Sequence, residues 1–161
     1  EEYGGMSRFD KLPIYLDWAL HEVTLELTTE YLENFSRLVK QKVINSKWVA
    51  GVLTYLKNNY DIQQFFLVTA TPQQEIEEIL SAIKIKHFFK EVVGSPIKKS
   101  VAIKRLLDRY KININQSIMI GDSISDYNAA TTNNITFYLR KTELNKNMQQ
   151  QLNCKMIDNF L

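Results

Sequence analysis

The sequence predicts an α/β domain on a parallel sheet, entered through a helical region. Three observations carry that expectation. Apolar residues recur at helical spacing through residues 6–58. After Asp61, short apolar runs alternate with helical stripes. Polar groups also collect just past the carboxyl ends of the predicted strands. Strand–helix alternation at this spacing means βαβ units, which bury a parallel sheet between helices.

Size and composition limit the possible functions. The 161 residues suffice for one domain with a sizeable core, or a small domain with an inserted subdomain. Hydrophobic content of 45% and charged content of 24% are ordinary for a soluble globular chain. A net charge of +2 is too small to argue for nucleic acid or an anionic membrane surface. The single cysteine, Cys154, excludes an internal disulfide and points to a reducing compartment. No apolar run approaches the roughly 20 residues that span a bilayer, and no signal peptide is visible. The expectation is a soluble, cytoplasmic protein without nucleic-acid or membrane partners. The chain opens at EEYGGMSRFD, without an initiator methionine, and reads as an engineered piece, a proteolytic product or a sequence missing its start.

The elements follow in order. Tyr31, Leu32, Phe35, Leu38, Val39 and Val43 form one helical stripe, with Glu30, Glu33, Arg37, Lys40 and Lys42 mostly opposite. Ser46 reads as the N-cap of a second helix bearing Trp48, Val49, Val52, Leu53 and Leu56, which ends in KNNYD. Residues 65–68 are a continuous apolar run, the pattern of a strand buried on both faces. In the TATPQQ that follows, Thr71 reads as an N-cap, Pro72 as the first helical residue and Gln74 as a capping-box partner. Ile76, Ile79, Leu80 and Ile83 continue as the buried face. Next come a strand at 91–94, a helix carrying Ile103, Leu106, Leu107 and Tyr110, and a strand at 117–120. A short helix over 126–132 and a last strand at 135–139 complete the reading. Thr69, Ser95 and Asp122 each fall just past a predicted strand, the edge at which open parallel sheets bind ligands.

The stretch IMIGDSISD closes an apolar strand on Gly-Asp and adds a second acid four residues on, Asp126. Together with two earlier stretches it resembles the haloacid dehalogenase-like (HAD) phosphohydrolases. FFLVTATP is similar to that family's second motif, an apolar strand ending in Thr or Ser. GSPIKKS is similar to the third, a lysine at the start of a helix, and IMIGDSISD to the fourth. The order of the motifs fits as well, with spacings of 30 residues from Thr69 to Lys99 and 23 from Lys99 to Asp122. GGMSRFDK and WVAGVLTYL resemble the helical insertion of the phosphoglycolate phosphatase-like branch. The resemblance covers nearly the whole chain. It implies a Rossmannoid, doubly wound parallel sheet, with residues 1–58 as a partial helical cap and residues 59–161 as the α/β core.

The resemblance also implies roles. A phosphate monoester is a dianion whose charge must be neutralised before a carboxylate can attack it. Magnesium, a hard cation that prefers carboxylate oxygens, would do much of this. Asp122 would be a direct ligand, and Asp126 a second ligand or an acceptor for a bound water. Thr69 would give its hydroxyl, and Ala70 its backbone N–H, to a phosphoryl oxygen. Lys99 would be the fixed cation facing the phosphoryl group and the attacking carboxylate. The substrate class implied is a small phosphorylated metabolite.

Plainer readings stand beside these. Asp122 could cap the helix starting near Ser123, and Asp126 could serve that helix's first-turn dipole. Thr69 could be an ordinary strand-end hydroxyl, and Lys98 is a second candidate beside Lys99. His21 and His87 lack partners at ligand spacing and read as structural or surface residues. Cys154 reads as packing, and Trp18, Tyr31, Phe35 and Trp48 as cap core rather than a cofactor box.

The family's first motif, a strand ending in Asp-x-Asp, has no match in the chain. Its first Asp would attack phosphorus, and its second would be the general acid and base. The nearest candidate is IYLDWAL, but position 19 is Ala and Pro13 interrupts the run, so Asp17 reads better as part of a cap helix. The motif is therefore expected upstream of Glu1. The corresponding strand would lie between the strands at 65–68 and 117–120, and two edges would stay unpaired without it. The expected function is a magnesium-dependent phosphatase working through an aspartyl-phosphate, inactive in this piece alone. Its expected state is a monomer or a strand-exchanged homo-oligomer. The alternatives are a non-catalytic binding or interaction module, or a mutase or dehalogenase of the same superfamily; dehalogenases need no magnesium, which the acid pair argues against.

Overall fold

A computed structural model describes residues 8–20 and 23–161. His21 and the start of GGMSRFDK lie outside the described residues. Seven α-helices and five strands run along the described chain: α1 (Arg8–Leu20), α2 (Leu25–Ile44), α3 (Val52–Asn59), β1 (Phe65–Pro72), α4 (Gln73–Ala82), β2 (Phe89–Ser95), α5 (Lys99–Tyr110), β3 (Ile118–Gly121), α6 (Ile124–Thr132), β4 (Thr136–Arg140), α7 (Lys146–Gln151) and β5 (Lys155–Ile157). The sheets are parallel, β1 with β2 and β3 with β4 with β5, as the strand–helix alternation implies. Among the described residues β1 pairs with β2 alone and β3 with β4 alone.

The chain forms two compact units, neither a single stretch of sequence. The β1–β2 unit holds the described residues up to Lys47 with Gln64–Pro96, and the β3–β5 unit holds Trp48–Gln63 with Ile97–Leu161. In the β1–β2 unit, Leu16 of α1 and Ile76, Ile79 and Leu80 of α4 are buried, as is Val93 of β2. In the β3–β5 unit, Ala130, Phe137 and Leu139 form a core that Met119, Tyr127, Ile135, Met148, Cys154 and Met156 pack against. Cys154 thus serves packing.

Several local readings change. Helix α3 starts at Val52, not near Ser46, and its N-cap is Gly51 at φ +79°, where an added Cβ would strike the Phe160 backbone. Ser46 instead donates its hydroxyl to the Val43 carbonyl, finishing α2. Thr71 is no helix cap: β1 runs on to Pro72, which is itself the N-cap of α4. Regular pairing stops at Val68↔Val93 and resumes at Pro72↔Ser95, so Thr69, Ala70 and Thr71 bulge opposite Gly94. Gln74 makes no capping box and donates to Glu78 at 3.1 Å. Its neighbour Gln73 ties the helix start to β2, accepting from Gly94 N–H at 2.6 Å and donating to the Val92 carbonyl at 3.1 Å. Strand β5 was not foreseen; three residues of mixed polarity carry no strand period.

The four aromatics expected in a cap core are exposed. Trp18, Tyr31, Phe35 and Trp48 are 58%, 44%, 39% and 46% accessible. Helix α2 buries no residue fully; its half-covered residues are Leu27, Thr28, Leu32, Ser36, Val39, Lys40 and Ile44. Tyr31 and Phe35 fall on the flank of these residues, so the helix has a wider apolar face than its neighbours cover. Asp17 lies exposed within α1, and IYLDWAL is helix throughout. His87 sits in a short 3-10 turn with its ring 4.0 Å from that of Phe88.

Candidate functional site

The site is built where β3 gives way to α6. The strand ends at Gly121, and the chain turns through Asp122 and Ser123 into the helix. Ser123, not Asp122, is the cap. Its side-chain oxygen accepts from Asp126 N–H at 3.4 Å, while Asp126 Oδ2 accepts from Ser123 N–H at 3.2 Å and from its hydroxyl at 2.6 Å. Gly121 is needed because the Asp126 side chain lies against its Cα; a Cβ there would overlap the carboxylate.

Lys99, the first residue of α5, completes the arrangement. Its ammonium donates to Asp126 Oδ1 at 2.6 Å, and the two side chains are only 14% and 9% exposed. A carboxylate so buried needs a partner charge, and here both of its oxygens are engaged. Asp126 therefore does two things: it serves the first turn of α6 and it holds Lys99. Lys98, by contrast, is exposed and caps α5 through its backbone.

Asp122 differs from both. It is exposed, and among the described residues its carboxylate has no hydrogen-bond or ion-pair partner. Its backbone carbonyl is held, accepting from Asn145 Nδ2 at 2.9 Å. The strand end thus presents one unengaged carboxylate beside a buried lysine–carboxylate pair. Among the described residues no cluster of three or more His, Cys, Asp or Glu side chains could hold a metal. A cation held there by protein would take the Asp122 carboxylate and complete its shell with water, the way magnesium is commonly held.

Thr69 and Ala70 belong to the other unit, half-buried in the bulge of β1. Thr69 Oγ1 accepts from Thr71 N–H at 3.1 Å and donates to Thr71 Oγ1 at 3.2 Å. Ser95, at the end of β2, is buried, and its hydroxyl has no partner among the described residues. The structure thus brings Lys99, Asp122 and Asp126 to one strand end, and places Thr69 and Ala70 at the bulge of another. Ser123 and Asn145 are not among the residues the motifs single out. Ser123 had a signal, the Ser-x-x-Asp of SISD. Asn145 had only the Thr-x-x-Asn of TELN, and nothing local says that it reaches Asp122.

The sequence matches the haloacid dehalogenase-like hydrolase family over residues 14–139. A stretch of 69 residues is 36% identical to the phosphoglycolate phosphatase of Vibrio cholerae, covering 40% of this chain and 30% of that protein. The phosphoglycolate phosphatase of Aliivibrio fischeri is 38% identical over 69 residues, with the same coverage. The chain thus spans 30% of the length of the curated relatives it matches. Among solved structures, a HAD hydrolase of family IA, variant 3, from Entamoeba histolytica is similar with a TM-score of 0.77 and 16% identity, over 98% of this chain and 75% of that one. A predicted phosphoglycolate phosphatase from Haemophilus somnus gives a TM-score of 0.75 at 22% identity, over 90% of this chain and 70% of that one. At these identities the structural likeness is one of fold. The family match runs from within α1 to within β4, most of the sequence, and the chain belongs to the haloacid dehalogenase-like hydrolases.

Proposed function

We propose that this protein hydrolyses a small phosphate monoester with the help of magnesium, through an aspartyl-phosphate. The observation that carries the reading is the end of β3, where the exposed Asp122 carboxylate stands beside the buried Lys99–Asp126 pair. The phosphoglycolate phosphatases matched over part of the chain support the substrate class. In this reading residues 1–58 form a helical cap subdomain and residues 59–161 the catalytic core.

Each residue has a task. Asp122 holds the magnesium ion. Bound there, the ion supplies positive charge to the phosphoryl oxygens. Lys99 adds a fixed countercharge, and its bond to Asp126 keeps the ammonium from wandering. Asp126 accepts from Lys99 and holds it in place, and would serve the ion as a second ligand or as the acceptor for a bound water. Thr69 donates its hydroxyl, and Ala70 its N–H, to the transferring group. The attacking carboxylate is placed outside residues 1–161, which contain no Asp-x-Asp. A cytoplasmic location suits the single thiol, and no helix among the described residues is long and apolar enough to cross a membrane.

Phosphate release from an aryl phosphate and from phosphoglycolate tests the reading in the full-length protein. Release should need magnesium, stop in Asp122→Asn and fall less in Asp126→Asn. Full turnover by Asp122→Asn at limiting magnesium overturns the metal assignment. Residues 1–161 alone should be silent. Turnover by that piece, lost in Asp17→Asn, would make IYLDWAL the catalytic strand; turnover that survives would demand another nucleophile.

A further inference from the structure

We infer that Asn145 is a positioning residue for Asp122, acting through the peptide that joins Asp122 to Ser123. The inference rests on the reading of Asp122 as the metal-holding carboxylate. Both polar groups of that peptide are held by side chains. Its N–H, from Ser123, donates to Asp126 Oδ2 at 3.2 Å, and its carbonyl, from Asp122, accepts from Asn145 Nδ2 at 2.9 Å. A peptide plane fixed at both ends leaves the Asp122 side chain little freedom beyond its own rotamers. The group left unbound is the carboxylate.

Asn145 is suited to this task because it is itself immobile. It is 5% exposed, and its amide uses its full capacity. Nδ2 donates a second bond to the Arg140 carbonyl at 2.9 Å, tying the Asp122 turn to the end of β4. Oδ1 accepts from Thr142 N–H at 2.9 Å and from Gln149 Nε2 at 2.7 Å. The chain beyond β4 thus reaches back 23 residues to hold the turn beyond β3. A carboxylate held in this way gains affinity for a cation because less freedom is lost on binding. Removing a partner that orients a metal ligand costs about 10-fold or more in metal affinity.

Two residues of the same cluster separate positioning from mere stability. Gln149 donates to Asn145 Oδ1 and to the Thr142 carbonyl at 2.8 Å, but among the described residues makes no hydrogen bond to the Asp122 turn. Mn2+ binding by electron paramagnetic resonance, with Mg2+ as competitor, is measured on the full-length protein and on Asp122→Asn, Asn145→Ala and Gln149→Ala. Asp122→Asn should lose binding. Asn145→Ala should bind Mn2+ about 10-fold more weakly. It should also need more Mg2+ for half-maximal phosphate release while keeping kcat at saturation. Gln149→Ala should lower the melting temperature yet bind Mn2+ as the wild type does. Wild-type affinity in a folded Asn145→Ala, with binding lost in Asp122→Asn, overturns the inference and leaves the proposed function standing. Wild-type affinity in Asp122→Asn overturns both. Should Asn145→Ala not fold, Asn145→Asp keeps the size and the acceptor positions but lacks the two donors. Hydrogen exchange over residues 121–126 should then quicken in Asn145→Asp and not in Gln149→Ala. Unchanged exchange in Asn145→Asp overturns the inference.

Discussion

Among the described residues each unit of the protein holds one ion pair largely out of solvent, and the two pairs are alike by the usual measures. Arg8 meets Glu75 at 2.7 Å with side chains 9% and 8% exposed; Lys99 meets Asp126 at 2.6 Å with 14% and 9%. Their surroundings differ. The Arg8 guanidinium engages both Glu75 oxygens, Ser36 bridges the two side chains with bonds of 2.6 Å, and the Phe35 ring lies 5.0 Å from the guanidinium carbon. That pair joins α1, α2 and α4, and its acid is fully occupied. The Lys99 pair is joined by one bond and sits at a strand end, and Asp122 in the same turn has a carboxylate without a partner among the described residues. Burial of charge therefore does not mark a site in this molecule. What distinguishes the Lys99 pair is its neighbour in the turn after β3, an exposed carboxylate without a protein partner among the described residues.

The comparison can be broken by mutation. The largest effect is expected at Lys99. Lys99→Ala in the full-length protein should cut turnover about 100- to 1,000-fold, as loss of a preorganised charge at a transition state does. It should also destabilise the fold, since Asp126 would be left buried and unpaired. Lys98→Ala, which removes an exposed side chain, should be mild in both respects. A silent Lys99→Ala with a damaging Lys98→Ala would shift the lysine's role by one residue. Steady-state phosphate release and thermal melts measure the two effects.

Arg8→Ala should match Lys99→Ala in stability alone. Removing one partner of a buried pair costs about 3–5 kcal/mol, read from denaturant unfolding. The magnesium concentration for half-maximal turnover should stay where it is. A shift in that concentration would mean that the two pairs are not as different as their surroundings say.

Thr69→Ala should be weaker, because one hydrogen bond to a charged group is lost rather than a countercharge. A loss of about 10-fold in kcat/KM, equivalent to about 1.5 kcal/mol, is expected. A Thr69 effect equal to that of Lys99 would contradict this ranking.

The smallest effect is at the surface of α4. Glu78 is held below the ordinary value of 4.5 by its bonds from Lys40 and then Gln74, and Glu77 by its bonds from Gln73 and then Lys86. Carboxyls with lowered values stabilise the fold above the ordinary value, and that contribution is lost as pH falls through their folded values. Melting temperature should therefore decline slightly on acidification below about pH 5, and Glu78→Gln should flatten the decline. Exposed pairs of this kind are weak and salt-screened, so high salt should flatten it too.

Which parts of this were legible in the sequence follows from distance along the chain. The apolar runs of β1 to β4, the helix that opens at Lys99 and the Gly-Asp at the end of β3 are neighbour effects, written in periods of two and 3.6 and in turn residues. Even here a local rule failed where a distant partner intervened. Thr71 and Pro72 satisfy the pattern of a helix start, yet pairing with β2 carries the strand through them, and Gln73 secures the helix by reaching residues 92 and 94. Ser46 could not act as a cap because Gly51, set against the Phe160 backbone, begins the helix instead.

The sequence by itself determined that strands alternate with helices, that a parallel sheet results, and that Asp122, Asp126 and Lys99 fall at strand and helix ends. Tertiary structure alone decided what those ends do. It joined Lys99 to Asp126 across 27 residues, closed Arg8 on Glu75 across 67, and brought Asn145 to the Asp122 carbonyl across 23. It also left Tyr31 and Phe35 on an outer flank of α2 despite their apolar spacing. Periodicity records which face of an element is apolar. Which side chain meets that face, and which carboxylate is left without a partner, depends on packing between segments far apart in sequence.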